Sequence, residues 1–473
     1  MKRRTVMIGM AATAVGSATA FAGPASAAAR KLVFDPAGYT TLTTTIDGKS
    51  VTYRFWKNIV YVAAPVDAAY QSLNVSVPVK IDGKAVDATG APILLSNSVG
   101  GYMPSSVATA TGVGGAAMAV TNGNAMLNAG GEMVSNAKLA LAAGHVVVEP
   151  GARGRTLVTS AGVYYGTAPA AIVDLKAAVR YVRANKGRIP GDVDRIVSSG
   201  TSAGGALSAL LGASGDSPLY DPYLAALGAA DASDTIHAVA AYCPITDLEH
   251  ADMAYEWVWG TNKLSTGKLV DQAASKKLAS GFTTYTGKWG VSNPEQHLLG
   301  TYLRPAATRY LTALSASARA AYLAKNPFIT WKGGQATFTW AGWLAHVGAR
   351  KKTLPAFDAF DLSTGENNLF GTGTTKARHF TTYGGRTLAS DIPAKLDLMN
   401  PMYFIGAGHA SRAKHWWIRV GTNDSDTSPT VVANLAAGLR TLGDEVSALM
   451  YWDAGHGANE DASSLMAWID RLR

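Results

Sequence analysis

Apolar and polar residues alternate along parts of residues 36–82, with Val51, Tyr53 and Phe55 on one face and Val75, Val77 and Val79 on another. A period of two predicts antiparallel strands. Farther along, the apolar residues come as unbroken runs at 91–95, 145–149, 236–243, 415–420 and 446–452. Continuous apolar strands belong in a parallel sheet covered on both faces. Between them the spacing becomes helical. Ile172, Leu175, Ala178, Val179 and Val182 recur over residues 170–185, and helices are expected over 430–442 and 462–472. Alternating strands and helices predict an α/β fold with a mostly parallel sheet and helices on both faces. The rhythm fails between about Glu249 and Asn400, where aromatics, Thr/Lys-rich loops and short helical runs such as 316–326 take over. That block reads as a large cap domain, 249–400, inserted between core segments 36–248 and 401–473.

The first residues change the picture of where the chain works. Lys2-Arg3-Arg4 precede an uncharged, mildly apolar stretch from Thr5 to Gly23, and Ala25-Ser26-Ala27 forms a small-x-small cleavage site. Residues 1–27 are therefore expected to be an export signal, and the paired arginines suggest the twin-arginine route. A secreted, extracellular protein is implied, with no stable membrane association. Loss of the leader removes three cations and no acid, lowering the net charge from +9 to about +6 over about 445 residues. The basic residues are scattered, so no nucleic-acid surface is expected. Cys243 is the only cysteine, so neither a disulfide framework nor a thiolate metal site is expected within the chain.

The chemistry centres on Gly200-Thr201-Ser202-Ala203-Gly204. A β-prone segment, 195–199, precedes it, and a small apolar helix opening, 205–211, follows. Strand, sharp turn and helix are the context of a nucleophile elbow, which lifts a serine hydroxyl above the sheet edge. A serine needs a base, and the base needs an orienting carboxylate. In the order of such folds the carboxylate follows the serine and the histidine comes last. His456 stands in the loop after the last strand, in Trp452-Asp453-Ala454-Gly455-His456-Gly457, and Asp424 and Asp426 follow the strand before it. Either aspartate could instead cap the helix that Thr427-Ser428-Pro429 opens. Two N–H groups must stabilise the oxyanion: Ala203 supplies one, and the Gly100-Gly101 turn is the candidate for the other. Gly112-Val113-Gly114-Gly115 lacks the strand and the spaced acid of a dinucleotide site. Asp247-Leu248-Glu249-His250-Ala251-Asp252 reads as a polar hinge into the cap, and Trp416-Trp417 as packing. No cofactor and no metal are expected.

Long strings of this chain resemble the bacterial subtype B tannases. They include Asn97-Ser98-Val99-Gly100-Gly101-Tyr102, Gly200-Thr201-Ser202-Ala203-Gly204-Gly205, Tyr242-Cys243-Pro244-Ile245 and Pro355-Ala356-Phe357-Asp358. Glu366-Asn367-Asn368-Leu369-Phe370-Gly371 and Asp424-Ser425-Asp426-Thr427-Ser428 continue the likeness, which fades over about 258–345. The resemblance implies an α/β-hydrolase with a cap that cleaves galloyl esters. It implies Ser202, Asp424 and His456 as a triad, so Asp424 over Asp426, and the N–H groups of Gly101 and Ala203 as the oxyanion hole. It also implies Lys352, Glu366 and Asp426 as readers of the three galloyl hydroxyls, which can donate to carboxylates and accept from an ammonium. The expected partner is a small-molecule or polyphenolic galloyl ester. An esterase for feruloyl or other phenolic acids is the alternative, and a non-catalytic phenol-binding protein is a third reading that a complete triad disfavours.

Overall fold

The computed structural model describes residues 32–115 and 126–472, so the expected leader lies outside the described residues. Strands β1 (Thr40–Ile46), β2 (Lys49–Val60), β3 (Ser72–Ile81) and the short β4 (Lys84–Ala85) pair antiparallel. They are followed by β5 (Pro92–Ser96), β6 (Val146–Pro150), β7 (Asp192–Thr201) and β8 (Ala238–Tyr242). A small hairpin, β9 (Thr330–Lys332) with β10 (Gln335–Thr337), lies within the insertion, and β11 (His415–Gly421) and β12 (Glu445–Tyr451) complete the main sheet. The order across that sheet is β1-β2-β3-β6-β5-β7-β8-β11-β12, with β4 beside β3. From β6 to β12 every pairing is parallel.

The apolar pattern explains the layers. Val51, Tyr53 and Phe55 join Leu94, Val147 and Val197 on one face, beneath the helices Asn136–Ala142 and Ala462–Arg471. Val75, Val77, Ile93, Leu95, Val146 and Val148 join the opposite core, under the helices Ala170–Ala184, Ala203–Ala213 and Pro429–Thr441. Central strands carry apolar residues on both faces because both faces are covered. Trp416 and Trp417 point into the two different cores. No strand of the main sheet comes from the segment between β8 and β11; it is a helical cap inserted into an α/β-hydrolase fold.

The expected hinge at 247–252 has a different form. Asp247 is in the left-handed region (φ 56), and the helix Leu248–Trp259 begins directly after it. The Asp247 carboxylate meets His250 Nδ1 at 2.8 Å, accepts from Asn400 Nδ2 at 2.9 Å and accepts from the Tyr285 hydroxyl. Asp247 and Asp252 turn inward while Glu249 is exposed, and the Asp247 contacts fasten the entry to the cap. Among the described residues no helix is long and apolar enough to cross a membrane.

Candidate active site

All parallel strands point their C-terminal ends to one edge of the sheet, where open α/β sheets hold their ligands. Ser202 directly follows β7 and has φ 59 and ψ −122, a conformation that non-glycine residues rarely adopt. Its N–H donates to Tyr242 O at 2.9 Å, and its carbonyl accepts from Ile245 N–H at 3.3 Å. The turn is this tight because of its glycines. A Cβ on Gly200 would lie 2.4 Å from Gly204 O, and one on Gly204 would lie 2.6 Å from both Asn97 Oδ1 and Val99 O. Asn97, after β5, donates through Nδ2 to Ser199 O, Gly204 O and Ser208 Oγ. One amide thus clamps the β5 loop to the elbow.

That loop carries Gly100 and Gly101. Gly101 has φ 55, and the Tyr102 hydroxyl donates to Ile245 O at 3.0 Å. Arg155, after β6, donates from Nε to Gly101 O at 2.7 Å. That bond fixes the Gly101–Tyr102 peptide, next to the one that carries the Gly101 N–H. Ala203 opens the helix behind Ser202, so its N–H is unclaimed by the first helical turn.

Asp424 is buried after β11, and its Oδ2 lies 2.8 Å from His456 Nδ1. Its other oxygen accepts from Asp426 N–H at 2.9 Å. Neither aspartate caps the next helix; the Ser428 hydroxyl does, accepting from Thr430 N–H, with Pro429 in the first turn. Burial pulls the His456 pKa down, but the Asp424 carboxylate and the Cys243 sulfur more than reverse this and leave it well above the ordinary value. Among the described residues no hydrogen bond joins Ser202 to His456; Nε2 lies 3.9 Å from Cys243 Sγ. Cys243 directly follows β8 beside the elbow, since Thr201 pairs with Tyr242.

The residues expected to read the acyl group come from three segments. Tyr255 joins two of them, its hydroxyl accepting from Lys352 N–H at 3.1 Å and donating to Ser425 O at 2.8 Å. The Lys352 ammonium lies over the Phe357 ring, 3.7 Å from its centroid. Asp426 pairs with Lys351, at 2.7 and 2.8 Å, and not with Lys352. Glu366 sits on the short helix Gly365–Leu369, which Asn367 ties to the buried Asp358 at 2.6 Å. The Arg155 guanidinium lies against Gly365, and the Glu366 charge acts on both Arg155 and Tyr102. Lys351, Arg155 and Cys243 were not singled out by the sequence. Arg155 and Cys243 do stand directly after strands, at the edge where functional side chains collect, and that was the available signal.

A family model described as BD-FAE matches residues 131–285. Esterase LipQ of Mycobacterium tuberculosis is 38% identical over 90 residues, 19% of this chain and 20% of that protein. The likeness to solved structures runs much farther. A tannin acyl hydrolase in complex with 3,4-dihydroxybenzoate is 36% identical with a TM-score of 0.79, covering 93% of this chain and 98% of that one. The Fusobacterium nucleatum tannase is 35% identical with a TM-score of 0.78, covering 93% and 99%. The Lactobacillus plantarum tannase is 34% identical with a TM-score of 0.78, covering 93% and 100%. With a likeness that spans nearly the whole of those enzymes, the chain is a carboxylic-ester hydrolase and belongs to the tannase family.

Proposed function

We propose that this protein is an exported serine esterase that hydrolyses galloyl ester and depside bonds of tannins and gallate esters, releasing gallic acid. The observation that carries the reading is the buried Asp424–His456 pair at 2.8 Å, set beside the elbow of Ser202. Ser202 Oγ attacks the ester carbonyl carbon while His456 Nε2 takes its proton. Asp424 holds the Nδ1–H and stabilises the imidazolium. The carbonyl oxygen becomes an oxyanion between the N–H groups of Ala203 and Gly101. Its collapse breaks the ester C–O bond, and His456 returns the proton to the departing alcohol. Water then repeats the sequence on the acyl-enzyme, freeing the acid and Ser202.

Lys352, Glu366 and Asp426 are assigned to the phenolic edge of the acyl group. The half-exposed Lys351 partner of Asp426 is a weak competitor, because such surface pairs contribute little. A site built to pair hydroxyls rejects analogues without them, since its own polar groups are then left unpaired. Purified protein is expected to hydrolyse methyl gallate at least about 10³-fold better than methyl benzoate, with methyl ferulate also weak. Comparable kcat/KM for all three esters would reduce the protein to a general esterase. Export rests on residues 1–27 and is tested by the N-terminal sequence of protein recovered from culture medium.

A further inference from the structure

Cys243 has no part in the reaction as written, yet its sulfur lies 3.9 Å from Nε2 of His456. The ligand atoms of Cys243, Asp424 and His456 all lie within 4.8 Å of one another. The Asp424 carboxylate is on Nδ1 at 2.8 Å, so the lone pair of Nε2 is directed away from it, toward the sulfur. Carboxylate, imidazole and then a metal is the usual order in which a ligating histidine is oriented. The His456 side chain is only 8% exposed, so its nitrogen is held in a dry, fixed place. Zn–S and Zn–N bonds of about 2.3 and 2.0 Å at a tetrahedral angle separate the two ligand atoms by about 3.6 Å. The observed 3.9 Å needs only a small closure.

We propose that Cys243 Sγ and His456 Nε2 form a binding site for a thiophilic divalent cation, probed by Zn²⁺, whose occupancy arrests the esterase. The inference rests on His456 as the base of the proposed reaction. Binding forms one Zn–S and one Zn–N bond, and the thiol proton, together with the Nε2 proton wherever the ring is protonated, leaves to solvent. Water completes the coordination. With Nε2 on the metal, the Ser202 proton has no acceptor. The soft ligand selects the ion: Zn²⁺ and Cd²⁺ are bound, whereas Mg²⁺ and Ca²⁺, which take oxygen ligands, are not.

The test uses direct binding and turnover in parallel. Calorimetric titration of the metal-free protein with Zn²⁺ is expected to show one site that Cys243→Ser and Cys243→Ala each weaken tenfold or more. Turnover with and without Zn²⁺ is compared within each variant, so a change in basal rate cancels. Wild-type activity is expected to fall with Zn²⁺ and return with chelator, and Mg²⁺ is expected to have no effect. Should either variant fold poorly, Co²⁺ on the wild-type protein gives an independent reading. A thiolate-to-cobalt charge-transfer band supports the site, and its absence at saturating Co²⁺ overturns it. Equal inhibition of both Cys243 variants would also overturn it. Binding that requires Cys243 but leaves turnover untouched would uphold the site and count against His456 as the base.

Discussion

His456 shows how one residue's surroundings set the working range of the molecule. Burial alone would keep its imidazole neutral, and the adjacent Asp424 carboxylate drives it the other way. Its folded pKa is raised, so the ring stays protonated to higher pH than a free histidine. The proton-accepting form is therefore lost first as pH falls. For kcat/KM, the acid limb is expected above the ordinary histidine value of about 6.5. The stabilisation from this pair follows the same sign: it is fully present below that ordinary value and fades as pH rises through the raised one. Asp424→Asn removes the carboxylate that contributes most to raising the pKa and leaves burial opposed by Cys243 alone. Its acid limb is expected to move to lower pH, while the maximal rate falls on the order of 10³–10⁴-fold because the ring is no longer held in the right tautomer. Rate profiles of the two proteins over pH decide this; an unmoved limb would mean that another group governs it.

At the scale of elements, the elbow is a packing solution as much as a catalytic one. Gly204 faces Asn97 Oδ1 and Val99 O, both close enough that a Cβ would sit 2.6 Å away. Gly204→Ala is expected to push the β5 loop off the elbow. The cost is about 1–3 kcal/mol of stability together with a large loss of turnover, because the Gly101 turn moves with that loop. Gly287→Ala, where nothing lies within 4 Å, is the control and is expected to be neutral or slightly stabilising. Thermal melts and methyl gallate turnover of both variants make the comparison. The strand, elbow and helix were legible because their pattern is local: apolar runs, a glycine on either side of the serine, then small residues. His456 was picked out for the same reason, as the histidine after the last strand. The Asn97 clamp, the Arg155 hold on Gly101 and the Lys351–Asp426 pair join segments 75 to 107 residues apart or 54 in the case of Arg155, and no local pattern reports such partners.

On the scale of the whole molecule, the cap is built into the site. Glu256 and Arg350 form a fully buried pair, and Arg350 Nε also donates to Lys352 O at 2.9 Å, so the cap's ionic core sets the backbone beside the acyl pocket. A second link reaches the base. Asp453 lies three residues before His456 in a left-handed conformation (φ 60), and its N–H donates to Thr422 Oγ1 at 2.9 Å. Its carboxylate meets His346 Nε2 at 2.5 Å and accepts from the Tyr322 hydroxyl, both from cap helices. His346 also stacks on Trp452, and Trp452 Nε1 donates to the Tyr322 hydroxyl at 2.7 Å. The loop that carries His456 is thus strapped to the cap by a small network of hydrogen bonds. Asp453→Ala leaves Tyr322 and His346 without their shared acceptor, a loss of about 1–3 kcal/mol. Because Asp453 acts through the loop, kcat is expected to fall by about tenfold or more for each ~1.4 kcal/mol of lost transition-state stabilisation, with KM little changed. Asp453→Asn, which keeps one acceptor oxygen, is expected to recover part of that loss. A variant with unchanged kcat and raised KM would instead make this contact part of how the cap holds substrate, with no hold on His456.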